Sequence, residues 1–340
     1  MAVTIRQIAA VAGVSRGTVD RVLHGRSGVK PEVAEHVRQI ARDLGFEPNL
    51  AGKILASRKQ PLKIGCFFPG VGNPFYDDVV AGVRRAGGEY ADFGVVLEIR
   101  EVMGYAEEEH IAAVRGLAEE CAALCVSTVD TPGMRACVDE LSERGVPVVA
   151  VNTDLTGTKR LCYVGCDYRA GGRTAAGLLA RMVNAPVKLL IITGSERIKG
   201  HNERIAGFCE TFRARGVAYE LVGVAESQDS DLCAYEKTLA AFRARSDIDC
   251  VYIAAAGVAG VCRAVRELGL AGRVRVACHD DIAATRDCLR VGIIDFTVCQ
   301  GPEAQGYHSV RLLFEYFMSD RRQAPRDYVT ETAIKIAENL

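Results

Sequence analysis

The sequence predicts an all-α helix-turn-helix head joined to an α/β body of two doubly wound parallel-sheet lobes. Three observations carry that expectation. Before residue 45, apolar positions recur at helical spacing in three short stretches separated by glycine and serine. From Leu62 onward, short continuous apolar runs alternate with longer amphipathic segments, as in parallel sheets covered on both faces. Charge divides at the same place. Residues 1–60 hold ten Lys and Arg against five Asp and Glu, a balance of +5, while the rest of the chain carries −6 within a total of −1. A basic head on an acidic body suits a phosphate-backbone partner for the head alone.

In the first helix, Ile5, Ile8, Ala9 and Ala12 share one face and leave Arg6 and Gln7 outside. Gly13-Val14 interrupts it, and Ser15 stands where a second helix needs its N-cap. Thr18, Val19 and Val22 can pack back on the first helix, leaving Arg16, Gly17, Asp20 and Arg21 outward. Two short helices, a glycine turn and an Arg-rich outer face read as a DNA-binding motif; an ordinary αα-hairpin is the plainer alternative. Lys30-Pro31-Glu32 opens a third helix whose apolar face is Val33, Val37, Ile40, Ala41 and Leu44, with Gly45 as its stop. After the turn at Phe46–Asn49, LAGKILAS is too short to be a stable helix alone, and Gly52 weakens it further. Arg58-Lys59-Gln60-Pro61 closes the head as a basic linker.

The body offers candidate strands at 63–69, 95–101, 123–128, 147–152, 188–193, 219–224, 250–255, 274–279 and 294–299. Helices are expected near 75–91, 106–120, 133–144, 169–184, 202–215, 230–245, 257–268 and 302–319. Nine strands exceed one comfortable core, and the break near Asn152–Tyr168 reads as the crossover between two lobes. The domains expected are 1–47, a helix-turn-helix head; 48–61, a hinge helix and linker; and 62–340, a two-lobed body.

Several classes are disfavoured. No apolar run approaches the roughly 20 residues that span a bilayer, and MAVTIRQIAA has no secretory pattern, so the expectation is a cytoplasmic chain with no membrane partner. The thirteen cysteines are scattered without a framework and suit reduced, buried thiols. GVGNPF contains G-x-G without the third glycine, and P-loop, G-x-S-x-G and H-E-x-x-H motifs are absent. Cys278-His279-Asp280 and the pairs Cys121/Cys125 and Cys162/Cys166 lack C-x-x-C spacing, so core packing is the favoured reading. No catalytic residue, metal or cofactor is expected.

The head sequence TIRQIAAVAGVSRGTVDRVLHGR, the Lys30-Pro31-Glu32 helix start and FEPN resemble the lactose-repressor (LacI) family of transcription regulators. The body stretches NPFYDDVVAGV, VPVVAVNTD, YVGCDYRAGGRTAAGLL, NERIAGF, ACHD and FTVCQGP are similar to its effector domain, itself akin to type I periplasmic sugar-binding proteins. The resemblance implies a homodimeric repressor on a pseudo-palindromic operator in double-stranded DNA. It places Thr4, Ser15, Arg16, Gly17, Thr18 and Arg21 at the DNA, with Arg16 and Arg21 as base readers or, alternatively, phosphate contacts. Asn49, Leu55 and Lys59 follow in the hinge, Leu55 as a minor-groove wedge. The body then binds a small effector, a sugar or polyol-like metabolite, between its lobes through Asn73, Phe75, Tyr76, Asn152, Arg204, Asp280 and Gln300.

Read without the resemblance, Asn73-Pro74 is equally a capped turn, Asp280-Asp281 a helix cap and Arg204 a surface ion pair. Two departures bear on the ligand. AAAGVAG after CVYI stands where sugar binders often have Asn-Asp, and Asn152-Thr153 replaces an Asp-Arg pair, so the ligand is less hydroxylated, larger or differently held. The alternatives to a regulator are an α/β enzyme or a solute receptor whose helical head does not read DNA.

Overall fold

The computed structural model describes residues 3–23, 27–44, 61–319 and 323–340. The expected hinge helix, with Asn49, Leu55 and Lys59, lies outside the described residues. The chain divides into two compact units, one of residues 1–61 with Asp92–Gly94 and Glu315–Gln323, the other of the remainder.

The head contains α1 (Ile5–Ala12), α2 (Arg16–Leu23) and α3 (Pro31–Asp43). Their ends are set by the residues the sequence supplies. Thr4 and Gln7 form a capping box on α1: the Gln7 N–H donates to Thr4 Oγ1 at 3.3 Å, and the Thr4 N–H donates to Gln7 Oε1 at 2.8 Å. Gly13 ends that helix at φ 65, a left-handed backbone that glycine adopts without a Cβ penalty. Ser15 caps α2, its Oγ accepting the Thr18 N–H at 3.0 Å. Ile8, Val19, Val22 and Val37 bury where the three helices meet, each such side chain contributing about 1.5–3 kcal/mol.

The body is two six-stranded sheets. The first runs β11-β5-β4-β3-β1-β2 and uses β1 (Leu62–Phe68), β2 (Val95–Glu101), β3 (Ala123–Val126), β4 (Val148–Val151), β5 (Cys162–Gly165) and β11 (Tyr328–Val329). The second runs β12-β10-β9-β8-β6-β7 and uses β6 (Val187–Thr193), β7 (Tyr219–Glu226), β8 (Cys250–Ile253), β9 (Arg275–His279), β10 (Phe296–Cys299) and β12 (Ala333–Lys335). All neighbours are parallel except β12, which runs antiparallel to β10.

The helices of the body are α4 (Pro74–Tyr90), α5 (Glu107–Glu120), α6 (Pro132–Glu143), α7 (Tyr168–Leu179), α8 (Lys199–Ala214), α9 (Asp231–Ala244), α10 (Val258–Glu267), α11 (Ala283–Arg290) and α12 (Pro302–Met318). They cover both faces of each sheet, which explains the continuous apolar strands. Along β6, Leu189 and Ile191 join Phe208 and Phe212 of α8, while Leu190 and Ile192 join Phe242 of α9 and Val261 of α10. Alternate side chains therefore feed two cores, and the polar residues of the strand are confined to Lys188 near its start and Thr193 at its end.

The single crossover expected at Asn152–Tyr168 needs correction. That stretch contains β5, which still belongs to the first sheet, and the chain leaves that lobe only at 166–167. It returns after β10, because α12 packs on α4: a Cβ on Gly306 would lie 1.9 Å from the Val79 carbonyl oxygen. It crosses again between β11 and β12. The described chain thus passes between the lobes three times. The strands β5, β11 and β12 and the helix α11 are additions to the expected elements.

Candidate functional site

In the head, α2 turns Arg16, Gly17 and Arg21 outward, all exposed, with Thr18 half-buried behind them. Arg16 has no hydrogen-bond or ion-pair partner among the described residues. Arg21 is held to its own helix, Nε donating to the Gly17 carbonyl oxygen at 3.1 Å, so its guanidinium lies along the turn that Gly17 leaves bare. The hydroxyls of Thr4 and Ser15 are engaged in capping, and the Ser15 and Thr18 hydroxyls lie 2.9 Å apart. This face offers one free guanidinium, one braced guanidinium and a gap in side-chain cover between them.

In the body, the carboxyl ends of the parallel strands surround a cavity of about 70 Å³. That is the end of an α/β sheet at which ligands are held. All seven expected residues line it: Asn73, Phe75 and Tyr76 after β1, Asn152 after β4, Arg204 on α8, Asp280 after β9 and Gln300 after β10. Asn73 both caps α4, accepting the Phe75 N–H at 3.1 Å, and faces the cavity, so the two readings of it are compatible. Phe75 and Tyr76 meet edge to face at 5.2 Å, and the Tyr76 hydroxyl is 3.0 Å from Ser127 Oγ. Burial pushes the Tyr76 hydroxyl up to about 12, so it stays protonated.

One hydrogen-bonded network crosses the floor. Asn152 Nδ2 donates to Gln300 Oε1 at 3.3 Å and to Gln305 Oε1 at 3.2 Å, and Gln300 Nε2 donates to Asp280 Oδ1 at 2.8 Å. Arg204 is 3% exposed, which excludes the surface ion pair. Its Nη1 donates to the Ala254 carbonyl at 2.9 Å, its guanidinium lies 5.1 Å from the Tyr168 ring centre, and Nη2 stands 3.8 Å from Asp280 Oδ2. At that distance no hydrogen bond forms, and Nη2 is buried without a partner among the described residues. Asp280 caps no helix; α11 starts from Ile282 without a side-chain cap, and Asp281 pairs with Arg286 and Lys335 instead. Burial pushes the Asp280 carboxyl up, against the opposing pull of Arg204 and the Gln300 amide.

Sequence reasoning missed Tyr105, His201 and Asp229, which also line the cavity. Tyr105 and Asp229 follow β2 and β7, and the rule that ligands sit at strand carboxyl ends would have found both. His201 immediately precedes NERIAGF; burial lowers it to about 4, so it is neutral at physiological pH. A second signal was backbone strain. Asn152, Asp229 and Asp280 have φ of 62, 54 and 70, so three of the four left-handed non-glycine residues among the described residues line this cavity. Asn and Asp tolerate that region best, and here it turns their side chains inward at strand ends. The departures at Ala255 and Ala256 form part of the apolar wall. The cysteines pack as cores: eleven of the thirteen are buried, Cys121 against Leu117 and Leu124, and Cys166 Sγ reaching Gln300 Oε1 at 3.1 Å.

Residues 4–49 match the family described as bacterial regulatory proteins, lacI family, and residues 64–319 match the periplasmic binding protein domain. The chain carries a lacI-family head on a body that belongs to the periplasmic binding protein domain family. It is 29% identical over 362 residues to the HTH-type transcriptional regulator CelR of Thermobifida fusca, covering 99% of this chain and 98% of that one. It is 22% identical to the HTH-type transcriptional regulator MalR of Clostridium butyricum, over 93% of each. Its fold is that of GanP, a glucose-galactose binding protein from Geobacillus stearothermophilus, with a TM-score of 0.76, 23% identity and coverage of 83% of this chain and 99% of that one. No helix among the described residues is long and apolar enough to cross a membrane.

Proposed function

We propose that this regulator is a cytoplasmic, ligand-switched repressor that binds a pseudo-palindromic operator as a homodimer. It takes a small polyhydroxy metabolite, a sugar or polyol, in the cleft between its lobes, and has no catalytic role. One observation carries the ligand reading: Arg204 Nη2 is buried in a cavity wall with no acceptor among the described residues, beside a carboxylate too distant to bond it. A buried unsatisfied donor costs about 1–3 kcal/mol, and a hydroxyl placed between Arg204 and Asp280 removes that cost. The relatives support the regulator reading, since CelR and MalR are named as transcriptional regulators. The switch follows from differential affinity: a ligand that bonds residues of both lobes favours one lobe angle over others.

Arg16 is the expected base reader, bidentate to guanine, with Arg21 beside it; Asn49, Leu55 and Lys59 are assigned to the hinge contact with DNA. The experiment is selection of bound sites from a random duplex pool at moderate salt, with and without a mixture of neutral sugars and polyols. Enrichment of a two-fold-symmetric site that responds to the mixture is the expected result. Failure to enrich any site in either condition overturns the regulator reading.

A further inference from the structure

Asp229 differs from the other polar residues of the cleft in what faces it. It sits between β7 and α9 in the second lobe, at φ 54, and its Oδ1 accepts the Ala256 N–H at 3.2 Å. Its Oδ2 accepts the hydroxyl of Tyr105 at 2.7 Å, and Tyr105 lies between β2 and α5 in the first lobe. That bond therefore spans the cleft. No Lys, Arg or His forms an ion pair with Asp229 among the described residues. Two neutral donors leave a carboxylate with unused acceptor sites, and here they line a cavity.

The charges around the cavity are unbalanced. Arg204 is the one Lys or Arg on its lining, and it stands opposite Asp280. His201 and His279 are neutral near pH 7, because burial lowers both, His201 to about 4. Asp229 is left as an uncompensated negative charge. A ligand carboxylate or phosphate would have to shed its water beside two carboxylates with a single guanidinium to offset them, which disfavours the anion. A hydroxyl or an ammonium instead donates to Asp229 through a charge-assisted hydrogen bond.

We propose that Asp229 determines the charge class of the ligand: the cleft takes uncharged or amine-bearing polyhydroxy compounds, rejects acids and phosphates, and relies on Tyr105 as a positioning residue that holds the carboxylate from the opposite lobe. This rests on the reading of the cleft as a ligand site. The plainer role for Asp229, bracing its loop through Ala256, survives in Asp229→Asn, which keeps shape and acceptor oxygen but removes the charge.

The test is thermal stabilisation and titration of the full chain with a matched panel: neutral pentoses, hexoses and polyols; amino sugars; uronic and aldonic acids; sugar phosphates. The wild type is expected to respond only to the first two classes. Asp229→Asn is expected to lose tenfold or more in affinity for those ligands. Tyr105→Phe is expected to weaken the same ligands without changing the order of classes, and to add nothing in the Asp229→Asn background. Stabilisation of the wild type by an acid or phosphate overturns the inference and leaves the ligand site standing, as does an Asp229→Asn variant with unchanged affinities. No response to any class removes the ligand reading and this inference together.

Discussion

Replacing Gly172 with alanine tests how the fold places Arg204. The two residues lie on α7 and α8, and a Cβ at Gly172 would stand 2.0 Å from the Arg204 carbonyl oxygen. An ordinary contact begins near 3.4 Å, so the two helices must separate by roughly 1.4 Å, or the backbone under Arg204 must shift. Overpacking of this kind costs about 1–3 kcal/mol, offset by about 1 kcal/mol for replacing a helical glycine. The net expectation is a loss of up to about 2 kcal/mol. Gly177 is the internal control, five residues along α7, where the added methyl meets only the flexible tip of Arg215 at 3.6 Å. There the helix preference acts alone, and Gly177→Ala gains up to about 1 kcal/mol. Urea unfolding of the two variants beside the wild type, followed by far-ultraviolet circular dichroism, reads both. Gly172→Ala is expected to be clearly the less stable of the two. A Gly172→Ala protein that gains as much stability as Gly177→Ala would refute the close-packing argument, because the backbone would then have room that the geometry denies it.

Three further outcomes are expected. Ser15→Ala removes the cap from α2 and lowers the stability of the head by about 1 kcal/mol, read as an earlier melting transition of the head; an unchanged transition contradicts the cap. Arg16→Ala alters which bases are enriched in a site selection, whereas Lys59→Ala weakens all duplexes alike and flattens the salt dependence; uniform weakening by both would show that Arg16 contacts phosphate. His201 is lowered from 6.5 to about 4, so between those values the unfolded chain binds the proton that the folded one excludes. Its contribution to stability is therefore full above pH 6.5 and declines as pH falls towards 4, and His201→Gln is expected to flatten the acid limb of a stability–pH curve in that window.

The legible parts of the sequence were those with long or repeated patterns. The head was readable because Gly13, Ser15 and Pro31 each mark a helix end by a local mechanism. The nine expected strands were readable as apolar runs alternating with longer amphipathic segments. β5 is four residues long, as are β3, β4, β8 and β10, but it follows β4 with no helix between and so breaks that alternation; β11 and β12 are two and three residues long and exist only by pairing with strands far away in sequence. α11 reads AATRDCLR, with Leu289 and Thr285 its buried side chains, so the apolar stripe that announces a helix is nearly missing. In the cleft, the residues carried by the quoted stretches all line one cavity. Tyr105 and Asp229 escaped because each is a single polar residue in a loop, and their partnership spans more than a hundred positions.

The three passages between the lobes have a consequence for how the protein is made. The first sheet is not a continuous piece of chain: it waits for β11, whose Tyr328 pairs with Val164, and for Asp327, which binds the Arg160 guanidinium at 2.8 Å. The second sheet is in the same position: five of its six strands are in place once β10 is synthesised, and β12 arrives only at Ala333–Lys335. On the ribosome both lobes are therefore completed late, from the segment that follows α12. The edge at β5 stays open until Tyr328 emerges, a template for mispairing during synthesis. A nascent chain stalled before residue 327 would carry five strands of each sheet and close neither.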